Sequence, residues 1–337
     1  MTRVSLALQG GGAHGAFTWG VLDRLLEDGK LEIDAISGTS AGALNGAALK
    51  AGMVSGGREA ARKRLRELWE QVADIGDFRM LPWLQPFLPA MRFWQDTAAN
   101  FLPFSPEGVA AQFWSPYSMG PNWTNPLDPV VRDLDFAHVC AGEGPKLFVG
   151  ATNVRTGKVR VFHGREVTPE ALLASACLPE AFQAVEIKGE AYWDGGFTGN
   201  PSLWPLYDRA LPDDIVIVQV NPLRRDQIPE TPLEIQARVD EISFNASLMS
   251  ELRAVAFVHR LIALGRIEKG QMKDVRIHMI ADDALMNDLS ASSKLEPSGP
   301  LIERMFEAGR VAATCFLTDC GGNIGHAPSV DLPSLFG

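Results

Sequence analysis

The chain has 337 residues, of which 46% are hydrophobic, so it can bury a large core as one domain or as a domain with an extension. Its formal net charge of -10 argues against nucleic-acid binding, which needs a basic surface. Four cysteines without a CxxC spacing predict reduced thiols. Because there is no signal-peptide pattern and no run of about 18 apolar residues, we expect a soluble, cytoplasmic protein.

The first part of the chain predicts a parallel α/β sheet. RVSLAL reads as a buried strand, and a glycine turn leads from it into an amphipathic helix that Gly29 ends. A second strand, IDAIS, leads into another glycine turn and a helix of small residues. This alternation is typical of parallel sheets. Further strands are predicted at KLFVGATNV, KVRVFH, FQAVEI, AYW, DIVIVQV and DVRIHMI.

The first glycine turn, QGGGAHG, allows two functions. It fits G-x-G-x-x-G at Gly10, Gly12 and Gly15, which is the pattern of a nucleotide-binding oxidoreductase. That site also needs an acidic residue at the end of the second strand, whereas Asp34 stands at its start. The same glycine amides at a helix N-terminus can instead stabilise an oxyanion.

The second glycine turn carries a candidate nucleophile. In AISGTSAGALNG, Ser40 stands between Gly38 and Gly42, and G-x-S-x-G between a strand and a helix is the nucleophile-elbow pattern. The two turns follow strands that we expect to be neighbours in a parallel sheet, so both should lie at its carboxyl edge. Oxyanion donors and nucleophile would then converge.

A serine nucleophile needs a general base, and a carboxylate fits better than a histidine. None of the histidines after the elbow lies in a glycine-rich catalytic loop, and we interpret them as surface or packed residues: His138, His163, His259, His278 and His326. In AYWDGGFTGNP, Asp194 ends a strand, and Gly195 and Gly196 permit close approach to another loop. A general base must hold a proton near the working pH, so we expect Asp194 to be withdrawn from water.

Together, GGGAHG, GTSAG and DGG, with ASACLPEAFQAVEIKGEAYW before the last, resemble the patatin-like phospholipase family over about residues 4–208. The resemblance implies an α/β fold, a three-layer α/β/α sandwich with a mainly parallel central sheet. After it, apolar residues at steps of three and four from Thr231 to Leu264, and again in GPLIERMFEAGRVAATCFL, predict two long helices in a mostly helical extension. The resemblance also implies a serine lipid acyl hydrolase of phospholipase A, lysophospholipase or esterase type that works through an acyl-enzyme without cofactor or metal. Ser40 would be the nucleophile, Asp194 the general base, and the oxyanion hole would be formed by the amides of Gly10, Gly11 and Gly12.

One position departs from the family. Two residues after the glycine triplet the family often has Arg or Lys, where this chain has His14. An imidazole can be neutral at pH 7. We therefore expect activity that depends more on pH, or a preference for less anionic substrates.

We divide the chain into a hydrolase domain, residues 1–208, and a C-terminal extension packed on the core, residues 209–337. Residues 78–126 are rich in aromatic residues and proline and form an insertion or lid, which either contacts acyl chains or a membrane surface, or forms core and dimer surface. The expected partner is a lipid or acyl-ester substrate, with transient membrane contact and homo-oligomerisation left open. A non-catalytic acyl-binding or scaffold protein is a further alternative.

Overall fold

The computed structural model describes residues 1–78, 116–119, 125–179, 181–268, 270–289, 293–294 and 296–336. Most of the predicted insertion at 78–126, including its four tryptophans, lies outside the described residues. The predictions made for that segment therefore stay predictions.

An eight-stranded sheet forms the centre of the fold, in the order β5-β6-β3-β2-β1-β7-β8, with β4 also paired to β3. The strands are β1 Thr2–Leu8, β2 Leu31–Thr39, β3 Lys146–Asn153, β4 Val159–His163, β5 Val185–Ile187, β6 Glu190–Asp194, β7 Asp214–Val218 and β8 Arg276–Ile280. The pairs β1-β2, β1-β7, β2-β3 and β7-β8 are parallel, and the remaining pairs are antiparallel. This confirms the predicted mainly parallel sheet.

Helices surround the sheet. They are α1 Gly15–Asp28, α2 Ala41–Phe78, α3 Asp128–Arg132, α4 Phe136–Val139, α5 Pro169–Ser175, α6 Pro232–Ala263, α7 Asp283–Asp288, α8 Gly299–Asp319 and α9 Leu332–Leu335. Alternate strand residues point into two separate apolar cores: Leu6 and Leu8 pack with α1, α2 and α8, whereas Ala7 packs with α6. Two cores on opposite faces make the predicted three-layer α/β/α sandwich.

Two local features agree with the sequence. Gly29 ends α1 in the left-handed conformation with φ of 72°, as expected of a glycine at a helix C-terminus. Helix α2 is interrupted at Gly56 and Gly57, whose backbone angles are not helical. A kink at these glycines therefore divides α2 into two helical parts.

The C-terminal region is built into the same sheet. Strand β7 pairs with β1 and β8 pairs with β7, so the sheet continues past residue 208. Helices α1 and α8 approach closely at two glycines. A Cβ added to Gly20 would lie 1.9 Å from the Phe306 oxygen, and one added to Gly309 would lie 2.1 Å from the Phe17 oxygen. The two predicted long C-terminal helices are confirmed as α6 and α8. The domain boundary at 208 stays a prediction.

Candidate active site

Ser40 stands in the turn between β2 and α2 in a strained backbone conformation. Its φ is 54°, in the left-handed region that residues with a side chain rarely adopt. The Ser175 hydroxyl accepts a hydrogen bond from the Ser40 amide at 2.9 Å. The turn also needs small neighbours, because a Cβ on Gly42 would lie 2.2 Å from the Leu8 oxygen and one on Gly38 would lie 2.6 Å from the Gly42 oxygen. The strain and these close approaches explain G-x-S-x-G at this point.

The glycine turn after β1 abuts this serine. A Cβ on Gly10 would lie only 2.7 Å from the Ser40 Cβ. The Gly10 amide donates to Asn200 Oδ1 at 2.7 Å, so it is already engaged. Within the described part of the chain, the amides of Gly11 and Gly12 have no acceptor. Of the three amides that the sequence suggested as oxyanion donors, those of Gly11 and Gly12 remain candidates.

Asp194 ends β6 and is buried, with 1% of its surface exposed. Its Oδ1 accepts a hydrogen bond from the Gly196 amide at 2.7 Å, and its own amide donates to the Cys177 oxygen at 2.7 Å. Burial, and next the Asp194 carboxylate, raise the pKa of the Cys177 thiol to about 12. Asp194 is therefore a desolvated carboxyl group at the end of its strand, as we expected.

Contacts between neighbouring residues place the loop that follows Asp194 beside the turn that carries Ser40. Thr39 pairs with Gly150 across β2 and β3, and Asp194 pairs with the next residue of β3. A Cβ on Gly195 would lie 2.9 Å from the Thr39 Cγ2. Gly195, which follows Asp194, is therefore in contact with Thr39, which precedes Ser40. The glycine turn contacts Ser40 through Gly10, so the three segments lie side by side.

A buried network of side-chain amides supports the glycine turn, and the sequence gave no indication of it. Gln9 Nε2 donates to Asn245 Oδ1 at 3.1 Å, and Gln9 Oε1 accepts from the backbone amide of Asn221 at 3.0 Å. Asn221 Nδ2 donates to the Gly10 oxygen at 2.8 Å, and Asn200 Nδ2 donates to the same oxygen at 3.3 Å. All four side chains are buried, so their hydrogen bonds fix the backbone of the turn.

His14 follows the glycine turn and is buried, with its Nε2 2.8 Å from the Ser293 hydroxyl. Burial, and next the charge of Lys294, lower the pKa of His14 to about 3. The imidazole is thus neutral at pH 7. Because His14 is protonated only well below neutral pH, it does not supply the pH dependence of activity that we expected near pH 7.

An apolar cavity of about 170 Å³ opens beside Ser40. Its walls come mainly from α2 and from the segment after α5, and its apolar lining includes Leu44, Leu68, Trp69, Val72, Leu178 and Phe182. Lys294, from the C-terminal region, lines the same cavity next to Gly12. The cavity has the composition expected of a site for a hydrocarbon chain.

The other candidates from the sequence lie elsewhere. Asp34 forms an ion pair with Arg3 near the start of β1 and β2, away from the glycine turns at the other end of these strands. It cannot serve as the ribose-binding acid of a dinucleotide site. In the described residues, no hydrogen bond joins Ser40 to any histidine after the elbow, and no group of three or more His, Cys, Asp or Glu could hold a metal ion.

The chain belongs to the patatin-like phospholipase family, whose sequence model matches residues 6–207. The family implies a lipid acyl hydrolase. No match to a curated protein was found. Among solved structures, VipD from Legionella pneumophila is 15% identical with a TM-score of 0.43, over 94% of this chain and 67% of VipD. The ExoU-SpcU complex from the type III secretion system of Pseudomonas aeruginosa gives 19% identity and a TM-score of 0.30, over 100% of this chain and 74% of the matched chain.

The described helices include none that is both long and apolar enough to span a bilayer. Transient contact with a membrane surface stays a prediction.

Proposed function

We propose that this protein is a serine lipid acyl hydrolase in which Ser40 is the nucleophile and Asp194 the general base. The observation that carries the proposal is the strained Ser40, with φ of 54°, at a turn that contacts both the glycine turn and the loop of the buried Asp194. Left-handed backbone at a non-glycine residue costs on the order of 1–3 kcal/mol, and such strain is concentrated at functional sites.

The proposed reaction needs no group beyond these residues and water. Asp194 takes the Ser40 proton while Oγ attacks the ester carbonyl carbon, and the amides of Gly11 and Gly12 donate to the oxyanion. The tetrahedral intermediate collapses when the alcohol leaves with the proton from Asp194, which gives an acyl-enzyme. Water then gives a proton to Asp194 and attacks the acyl carbon, and the fatty acid departs as Ser40 regains its proton.

Two features support these roles. Asp194 is 1% exposed, and a carboxylate withdrawn from water is a stronger proton acceptor than an exposed one. The Gly196 amide holds one carboxylate oxygen at 2.7 Å and so fixes the orientation of the group. The apolar cavity beside Ser40 would take apolar carbons of the acyl chain, which makes esters of hydrocarbon acids the favoured substrates.

The test is hydrolysis of a panel of phospholipids, lysophospholipids, acylglycerols and p-nitrophenyl esters by the wild type and two variants. We expect Ser40→Ala and Asp194→Asn each to lower kcat by on the order of 10³-fold or more, with melting temperatures close to that of the wild type. A fluorophosphonate probe should label the wild type but not Ser40→Ala.

The matched controls are Ser334→Ala and Asp226→Asn, which change exposed residues. Both should retain wild-type turnover. Substantial activity in Ser40→Ala or Asp194→Asn would remove that residue from the mechanism. A wild type that binds the esters without turnover would favour the non-catalytic acyl-binding alternative.

A further inference from the structure

The C-terminal region reaches the glycine turn through a chain of hydrogen bonds. Lys294 lies between α7 and α8, and its Nζ donates to Asn221 Oδ1 at 3.0 Å. Asn221 Nδ2 donates in turn to the Gly10 oxygen at 2.8 Å. The peptide group that carries this oxygen also carries the amide of Gly11, one of the two unengaged donors. The chain thus links the ammonium group of the partly buried Lys294 to a candidate oxyanion donor.

We propose that Lys294 is a positioning residue that orients the Gly11 amide toward the oxyanion, acting through Asn221 and the Gly10 carbonyl. The inference rests on the proposed function and names a further residue of the same site.

The geometry of the peptide bond gives the reason. In a planar trans peptide the C=O and the following N–H point in opposite directions. The Gly10 oxygen is held by Asn221 and Asn200 within the buried amide network. The Gly11 N–H therefore points away from this network. Three consecutive glycines have wide backbone freedom, so an external anchor is needed to keep this peptide in one orientation.

Lys294 favours one orientation of the Asn221 side-chain amide, the same one that Gln9 Oε1 favours by accepting from Asn221 Nδ2 at 3.3 Å. An ammonium group only donates hydrogen bonds, so it selects the Asn221 oxygen for itself and leaves Nδ2 to donate to the Gly10 oxygen. The positive charge also polarises the hydrogen bonds that follow it. The Lys294 backbone adds a steric restraint, because a Cβ on Gly12 would lie 2.2 Å from the Lys294 oxygen.

Charge neutralisation alone does not account for this lysine, although it forms an ion pair with Glu241. Glu241 accepts hydrogen bonds from Arg225 at 2.6 and 2.8 Å and from Arg238 at 3.3 Å, whereas Lys294 lies 3.5 Å away. Without Lys294, Glu241 would keep both arginine partners. Their two positive charges would still match the two negative charges of Glu241 and the nearby Asp240. Burial lowers the pKa of Lys294, so holding its charge here is unfavourable. Because Glu241 keeps both arginine partners without Lys294, we expect its replacement to leave the fold intact.

The test compares Lys294→Met with Lys273→Met. Lys273 is the matched control, because burial also lowers its pKa and its amine donates to backbone oxygens, those of Leu206 and Asp208. With a p-nitrophenyl ester, we expect Lys294→Met to lower kcat at least tenfold, with KM within twofold and a melting temperature like that of the control. Lys273→Met should keep wild-type kcat. A Lys294→Met kcat within twofold of wild type, or a change confined to KM, overturns the proposal.

Two further variants separate positioning from a general loss of structure. Lys294→Arg keeps a cationic donor and should retain most of kcat, even if Lys294→Met folds poorly. Asn221→Ala should lower kcat by about the same factor as Lys294→Met, and the double variant should lose little more. Additive losses, or an arginine variant as impaired as the methionine variant, contradict the relay. Failure of the proposed function is distinguishable, because it would appear as an inactive wild type or an active Ser40→Ala.

Discussion

The Ser175 hydroxyl accepts a hydrogen bond from the Ser40 amide at 2.9 Å and donates one to the Gly150 oxygen at 2.6 Å. The end of α5 thereby supports the strained turn and ties it to β3. Because the hydroxyl group is buried and both of its hydrogen bonds go to backbone, its role is to hold the turn rather than to react.

Removing this support should impair catalysis. In Ser175→Ala the buried Ser40 amide loses its acceptor, which costs about 1–3 kcal/mol. We expect kcat for ester hydrolysis to fall about tenfold, because part of this cost appears as misplacement of the nucleophile. Steady-state kinetics and urea unfolding measure the two effects. The exposed Ser334→Ala should change neither, and an unaltered kcat in Ser175→Ala would contradict the proposed role.

The close approach at Gly42 predicts a strong steric effect. In Gly42→Ala the new methyl group would lie 2.2 Å from the Leu8 oxygen, so backbone must move. We expect the free energy of unfolding to fall by about 2 kcal/mol or more. Gly142→Ala is the matched control, because no atom lies within 4 Å of the added methyl group. Equal stability of the two variants, measured by denaturant unfolding, would refute the steric argument.

Glu251 should make stability depend on pH. Burial raises the pKa of Glu251 to about 7, while its side chain accepts a hydrogen bond from the Leu203 amide at 2.9 Å. The unfolded chain loses this proton near pH 4.3, so the unfolded state binds fewer protons between about pH 4.3 and 7. Over this window the contribution of Glu251 to stability falls as the pH rises, by about 4 kcal/mol at most.

The variant that tests this is Glu251→Gln, which cannot ionise. It should be more stable than the wild type at pH 8, and the difference should shrink as the pH falls toward 4.5. Unfolding at a series of pH values measures the difference, with the exposed Glu303→Gln as control. A stability difference that stays constant with pH would show that Glu251 does not titrate as described.

The cavity beside Ser40 predicts chain-length selectivity. Ala181 lines the cavity and is exposed, so a larger side chain fits there at little cost to the fold. We expect Ala181→Phe to lower kcat/KM for long-chain p-nitrophenyl esters at least tenfold more than for the acetate. Ala327→Phe, another exposed alanine outside the cavity, should leave the ratio unchanged. An unaltered length profile in Ala181→Phe would place the acyl chain elsewhere.

The features that the sequence predicted depend on residues that lie close together in the chain. The strands and the two long C-terminal helices have regular apolar spacing, and the glycines around Ser40 and Asp194 mark turns with close backbone approach. The supporting residues have no such signal. Gly10 and Asn221 are 211 residues apart, and only the folded sheet brings that asparagine beneath the turn. Ser175 and Lys294 are likewise single polar residues whose neighbours in sequence reveal nothing of their contacts.

For two groups, the folded surroundings give a property different from the one that the sequence suggested. His14 was considered as a source of pH dependence, but burial keeps its imidazole neutral near pH 7. The Gly10 amide was counted among the oxyanion donors, but Asn200 already engages it. Neither outcome can be read from residue type, because both depend on what surrounds the group after folding.

The position of β1 in the sheet has a consequence for experiments on shortened proteins. Strand β1 carries the glycine turn and lies between β2 and β7, and β7 begins after the last residue of the family match. A truncation at residue 208 would turn β1 into an edge strand with a bare row of backbone donors and acceptors. Such an edge recruits strands from other molecules, so the shortened protein should aggregate.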